Sequence, residues 1–135
     1  MNFKFFVTLF FISFLSSYSY SQKKVFFDAN FKEVPRESAV YYRLISSSDN
    51  NKNLLIDYYL TGVKAQESKF VFGKLEGKFL QYYPTGELKT IGFYEDGLKS
   101  GVWKTYDKNG KIIEKGKYLN NVKVGVWKSY YKNWH

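Results

Sequence analysis

GVWKTYDKNGKIIEKGKYLNNVKV, residues 101–124, decides the fold of this chain. Two runs rich in β-branched and aromatic residues, 102–106 and 111–118, flank the turn cluster Asp107-Lys108-Asn109-Gly110. Asn-Gly supplies the left-handed backbone that a tight hairpin requires. The reading is a three-residue loop, Lys108 to Gly110, with Gly110 as the bulge residue. That register places Tyr106 opposite Ile112 and Lys104 opposite Glu114, an opposite-charge pair of the kind that supports a sheet. A second turn follows at Asn120-Asn121, and its counterpart one unit earlier is Asp96-Gly97, where these residue types tolerate positive φ.

The stretch recurs. Gly77, Gly101 and Gly125 are spaced by 24, as are Phe79, Trp103 and Trp127, and Tyr82, Tyr106 and Tyr130. Gly86 keeps step with Gly110, Gly92 with Gly116, Tyr94 with Tyr118, and Lys99 with Lys123. Working back, Leu55, Tyr58 and Gly62 precede Phe79, Tyr82 and Gly86 by the same interval. A period of this size means one supersecondary unit stacked several times, each copy completing its neighbour's core. The expected fold is therefore all-β: a single-layer antiparallel meander of stacked hairpins, preceded by a short strand-and-turn segment. The expected units are 53–76 (degenerate), 77–100, 101–124 and 125–135 (truncated).

Gly92 and Gly116 fall inside strands, where glycine normally weakens pairing. Their missing side chains are expected to leave room for an aromatic ring from a neighbouring strand. The aromatic rows Phe79, Trp103, Trp127 and Tyr82, Tyr106, Tyr130 are thus read mainly as packing, with lysine stems covering the indoles. A ligand-stacking surface is the alternative use of the same rings. Gly86, Gly110 and Gly97 are read as turn glycines.

The opening Gly-x-Trp-x-x-Tyr, the Asn-Gly turn and the Gly-Lys-Tyr second strand resemble the bacterial MORN-type repeat, MORN variant 2. The resemblance covers residues 75–135 in GVWKTYDKNGKIIEKGKY, EGKFLQYYPTGELKTIGFYEDG and GVWKSYYKN. VFFDANFKEVPRESAVYYRLI, residues 25–45, is similar to the leader before such repeats in some exported bacterial proteins. Some of those continue into a TonB-like domain, which these 135 residues do not carry. Others are repeat-only proteins often labelled YwqK-type antitoxins. The resemblance implies a protein partner and supplies no catalytic residue.

At the N-terminus, MNFKFFVTLFFISFLSSYSYSQ has a basic Lys4, an apolar run over residues 5–15 and small residues ahead of Gln22. That is the pattern of a secretory signal peptide, residues 1–21, and eleven apolar residues fall short of the ~20 that span a bilayer. Export to the periplasm, cell surface or medium is the expectation. Cleavage would leave one domain, with 22–52 as a divergent segment before the repeats. With no cysteine, stability must come from packing. In the divergent segment, a first hairpin is expected across Asp28-Ala29-Asn30, a helical turn after Pro35, a strand over 41–45 and a polar loop over 46–53.

The net charge of +9 points to anionic partners, but its lysines alternate with apolar residues along the repeats instead of forming a block. Nucleic acid is not the expected partner, since the aromatics recur at structural positions and the chain reads as exported. The only histidine is His135, the last residue. There is no cysteine nucleophile and no phosphate-cradling loop. Asp107-Lys108-Asn109-Gly110 lacks the later carboxylates of a calcium loop. No catalytic, cofactor or metal residue is expected. The expected role is a non-enzymatic scaffold for protein or cell-envelope contact. An antitoxin-type partner protein and a glycan or anionic-surface binder using Trp103 and Trp127 are the alternatives. Strand 125–131 is expected to be a sheet edge, open to a partner's strand or to self-association.

Overall fold

A computed structural model describes residues 22–45 and 54–130. The signal-like segment, the loop over 46–53 and the last five residues, including Trp134 and His135, lie outside the described residues. What is described is one nine-stranded antiparallel sheet in strict sequence order. Its strands are β1 (Lys23–Phe27), β2 (Tyr41–Ile45), β3 (Leu54–Tyr59), β4 (Lys64–Val71), β5 (Lys74–Tyr82), β6 (Leu88–Glu95), β7 (Leu98–Tyr106), β8 (Ile112–Leu119) and β9 (Val122–Ser129). This is the expected single-layer meander of hairpins.

Two kinds of turn alternate along the repeats. The first kind closes a three-residue loop: Tyr59, Tyr83 and Asp107 each donate N–H to the carbonyl four residues on, at 2.8 Å. The N-terminal loop is a fourth copy. Asp28 N–H donates to the Lys32 carbonyl at 2.9 Å, and Asp28 Oδ1 accepts from Asn30 and Lys32, as Asp107 Oδ1 does from Asn109 and Lys111. Phe31 (φ 59°) stands there where Gly110 (φ 78°) stands in the later loop. The second kind has two residues at positive φ: Phe72-Gly73, Asp96-Gly97 and Asn120-Asn121. Their paired signs of φ match the twist of the flanking strands.

The helical turn after Pro35 is a 3-10 turn, Arg36–Ser38, with Pro35 as its cap and not its first residue. It and the adjoining residues fold over the edge of β1, where Phe27 bridges Glu33 and Val34 N–H donates to the Phe26 carbonyl.

The register differs from expectation at one pair. Tyr106 does face Ile112, but Lys104 faces Lys115, and Glu114 faces Thr105. Ile113 is an extra residue on β8, so every pair beyond it moves by one. A larger irregularity recurs on β5, β7 and β9. Ser100 pairs with Phe93 and Lys104 with Ile91, so Gly101, Val102 and Trp103 lie against Gly92 alone. Gly77, Gly101 and Gly125 make this bend at φ 74°, 68° and 65°. Each bend throws the next aromatic back over the preceding strand.

That displacement builds the core. A Cβ on Gly92 would have Cε3 of Trp103 at 2.6 Å and two other ring atoms closer still; Gly116 stands in the same relation to Trp127. Ser68 holds the equivalent place beneath Phe79; it is buried, its hydroxyl donating to the Lys78 carbonyl at 3.2 Å. The buried apolar residues are Val25, Leu55, Ala65, Phe79 and Trp103. Among the described residues there is no second layer, and the core is a line of rings seated over small residues.

Candidate binding surfaces

Alternation along the strands sorts the side chains onto two faces. On the aromatic face, rings alternate across the repeats. Phe79 and Trp103 stack at 5.5 Å, Tyr94 meets both edge-on at 5.5 and 5.3 Å, and Tyr118 meets Trp103 at 5.8 Å and Trp127 at 4.9 Å. Lys99 Nζ lies 4.6 Å from the Trp103 centroid and 5.1 Å from that of Tyr118, and Lys123 Nζ is 4.0 Å from Trp127. Burial, and then Lys123, lower the pKa of the Lys99 ammonium, while burial and Tyr118 raise that of the Tyr94 phenol.

Beside the rings runs a polar row in continuous register. It begins with Arg43, Asp57 and Gln66, passes through Gln81, Thr90 and Thr105, and ends at Glu114 and Ser129. The two rows line a groove of about 610 Å³. At one end Asp57 is fully buried. Arg43 grips it with Nε at 2.7 Å from Oδ1 and a second nitrogen at 2.9 Å from Oδ2, and Gln66 donates to Oδ2 at 2.8 Å. Sequence reading missed this cluster because its members lie on three strands and none belongs to the 24-residue pattern.

The opposite face is cationic. Its register row is Glu67, Leu80, Ile91, Lys104, Lys115 and Lys128. The last three are lysines directly opposite one another on adjacent strands. Among the described residues the ion pairs are Arg43–Asp57, Lys64–Glu67, Lys74–Asp96 and Lys123–Glu114, so none answers these three. Exposed Phe93, Val102 and Val126 lie among them. Like charges opposed across a ladder are destabilising, by roughly 0.2–1 kcal/mol a pair. At the other end of this face Tyr82 donates to Glu67 at 2.7 Å, and Lys64 also holds Glu67, at 2.6 Å. Burial works to raise the Glu67 pKa, but the bonds from Lys64 and Tyr82 prevail and lower it. The Tyr82 phenol is pushed up to about 12, by burial first and then by Glu67.

The sequence-read aromatics therefore part company. Phe79, Trp103 and Trp127 lie in one line on the aromatic face; Tyr82, Tyr106 and Tyr130 lie on the lysine face. Phe79 and Trp103 are buried, Tyr82, Tyr106 and Trp127 half-buried, and Tyr130 is 52% exposed. At 5% exposure, Trp103 offers a sugar no ring face to stack on. Gly86, Gly97 and Gly110 sit in turns at φ 102°, 80° and 78°. Among the described residues no three His, Cys, Asp or Glu side chains gather as a metal site would need. No helix there is long and apolar enough to cross a membrane.

Residues 75–96 and 99–120 each match the family model of a MORN repeat variant. The two matches span the hairpins β5–β6 and β7–β8, so these two hairpins are similar to MORN-type repeats. No curated protein matches the chain.

Proposed function

We propose that this protein is a non-enzymatic, exported hairpin-repeat scaffold that contacts an anionic cell-envelope surface through its lysine face. The observation that carries the reading is the Lys104–Lys115–Lys128 ladder, three ammoniums on adjacent strands with no ion pair among the described residues, amid exposed Phe93, Val102 and Val126. A sheet that served only its own stability would not oppose like charges there. MORN repeats are commonly protein- or membrane-binding modules, which fits a face of this chemistry. Export rests on the signal-like residues 1–21, and the aromatic face supports scaffolding over turnover because its rings are spent on packing.

Co-sedimentation with anionic phospholipid vesicles, using zwitterionic vesicles as control, tests the reading. Each lysine near an anionic surface contributes about 1 kcal/mol, so reversing all three to Glu should weaken binding at least on the order of a hundredfold. Binding by the wild type should fall steeply with salt, because screening acts over ~10 Å at 0.1 M. Equal binding by the triple variant, or salt-independent binding, would refute it.

A further inference from the structure

The two ends of the sheet are not alike. At β1 the outer edge is folded over by Glu33, Val34 and the 3-10 turn. At β9, among the described residues, only the β8 side has a neighbour. Trp127 is also left half-finished. Its counterpart Trp103 has Tyr118 edge-on from the following strand, and Lys99 spans both rings at 4.6 and 5.1 Å. Lys123 covers Trp127 at 4.0 Å with no following aromatic beside it among the described residues. Lys99 also bonds the next turn through its backbone, accepting from Asn121 N–H at 3.0 Å and donating to Asn121 Oδ1 at 2.7 Å. Lys123, the equivalent 24 residues on, has Tyr118 as its partner on β8 and, among the described residues, no turn of a following unit beside it.

We infer that the outer edge of β9 accepts an antiparallel strand from a partner protein, and that the repeat dictates the sequence of that strand. The pairings of β7 with β8 transfer directly: Thr105 with Glu114, Trp103 with Gly116, Gly101 with Tyr118. Moved on by 24, they call for a polar residue opposite Ser129, a glycine opposite Trp127 and an aromatic opposite Gly125. That aromatic meets Trp127 edge-on and completes the cage around Lys123. Main-chain pairing supplies attraction, and the ring supplies choice. Charge selects the partner over a second copy. Lys123 is already answered by Glu114, but Lys128 extends the Lys104–Lys115 row with no ion pair among the described residues. A second copy of β9 would bring another ammonium to that edge, whereas acids opposite Lys128 and Val126 answer it.

The probe is the peptide of residues 111–119 with Lys115→Glu and Lys117→Glu, added to the full chain and followed by calorimetry and amide hydrogen exchange. Saturable binding with a Kd below about 1 mM is expected, with new protection confined to β9. Changing the peptide's tyrosine to alanine should weaken binding at least tenfold, a comparison that leaves the protein untouched. Trp127→Ala in the chain should do the same while vesicle binding through the lysine face persists, so the two readings fail separately. Absence of saturable binding, indifference to the tyrosine, or protection spread over the sheet would overturn the inference. So would a dimer that the peptide does not dissociate, since the edge would then be taken by a second copy.

Discussion

Gly92→Ala tests the seat of Trp103 directly. The added carbon would have Cε3 of Trp103 at 2.6 Å with two more ring atoms closer, against an ordinary contact of 3.4–4 Å. The indole must therefore move by at least about 1 Å. It has nowhere to go: Phe79 stacks on it at 5.5 Å, and Tyr94 and Tyr118 meet it edge-on at 5.3 and 5.8 Å. Forcing one carbon into a packed core costs about 1–3 kcal/mol, and a confined rigid ring belongs at the upper end. At about 4 °C or more per kcal/mol for a domain of this size, melting should fall by about 12 °C. Gly116→Ala makes the same intrusion on Trp127, which is half-buried and held against outward movement only by its indole N–H donating to the Lys117 carbonyl at 3.1 Å and by Lys123, so its cost should be nearer ~1 kcal/mol. Gly101→Ala separates sterics from backbone: its Cβ meets open space, but φ is 68°, and ~1–2 kcal/mol of left-handed strain remains. Urea titrations followed by near-ultraviolet dichroism would rank the three. A Gly92→Ala protein within ~0.5 kcal/mol of wild type, or one no worse than Gly116→Ala, would refute the seating account.

Phe72 occupies a left-handed position (φ 47°) with its side chain fully exposed, so Phe72→Asn should raise stability by up to about 1 kcal/mol in thermal melts. Tyr82 has its phenol raised to about 12 in the fold, so the folded state retains a proton that the unfolded chain releases near 10. Stability from this group is thus complete below pH 10 and is lost as pH rises through about 12. A stability profile across that window should flatten in Tyr82→Phe.

The period of 24 was visible because each residue that shapes the chain at a bend or seats a ring recurs in kind. Gly110 at the loop, Gly101 at the bend and Gly92 beneath Trp103 are all glycines that a packed strand would otherwise avoid. Where another residue does the same job, the pattern goes quiet. Phe72 and Phe31 hold positive-φ positions that glycine or asparagine would have announced, and Ser68 stands in for a seating glycine. Register was harder. A single extra residue at Ile113 moved Glu114 from Lys104 to Thr105, and counting by twos along a strand cannot see it. The lysine ladder stayed hidden for the same reason, because it exists only once two bulges have aligned Lys104, Lys115 and Lys128. Asp57 escaped notice because burial of a lone carboxylate depends on partners from β2 and β4.

That carboxylate has a role the repeats do not explain. Each strand pairs only with its sequence neighbours, so stability is a chain of junctions, and the weakest can open alone. The β2–β3 junction shares three paired positions, Tyr41 with Tyr59, Tyr42 with Tyr58 and Arg43 with Asp57, while β5–β6 shares six. Asp57 compensates by binding Arg43 on β2 and Gln66 on β4 at once, riveting three strands. Asp57→Asn would leave the Arg43 guanidinium without its counter-charge; breaking a buried pair costs about 3–5 kcal/mol, and the partial exposure of Arg43 puts this one at the lower end. In a quasi-one-dimensional sheet the loss should be local. Amide exchange should quicken by on the order of a hundredfold in β1 and β2, as ~3 kcal/mol implies, while β5 to β8 keep their protection. Uniform acceleration through all nine strands would mean that the sheet opens as one cooperative unit, and that neighbour-only coupling is the wrong description of it.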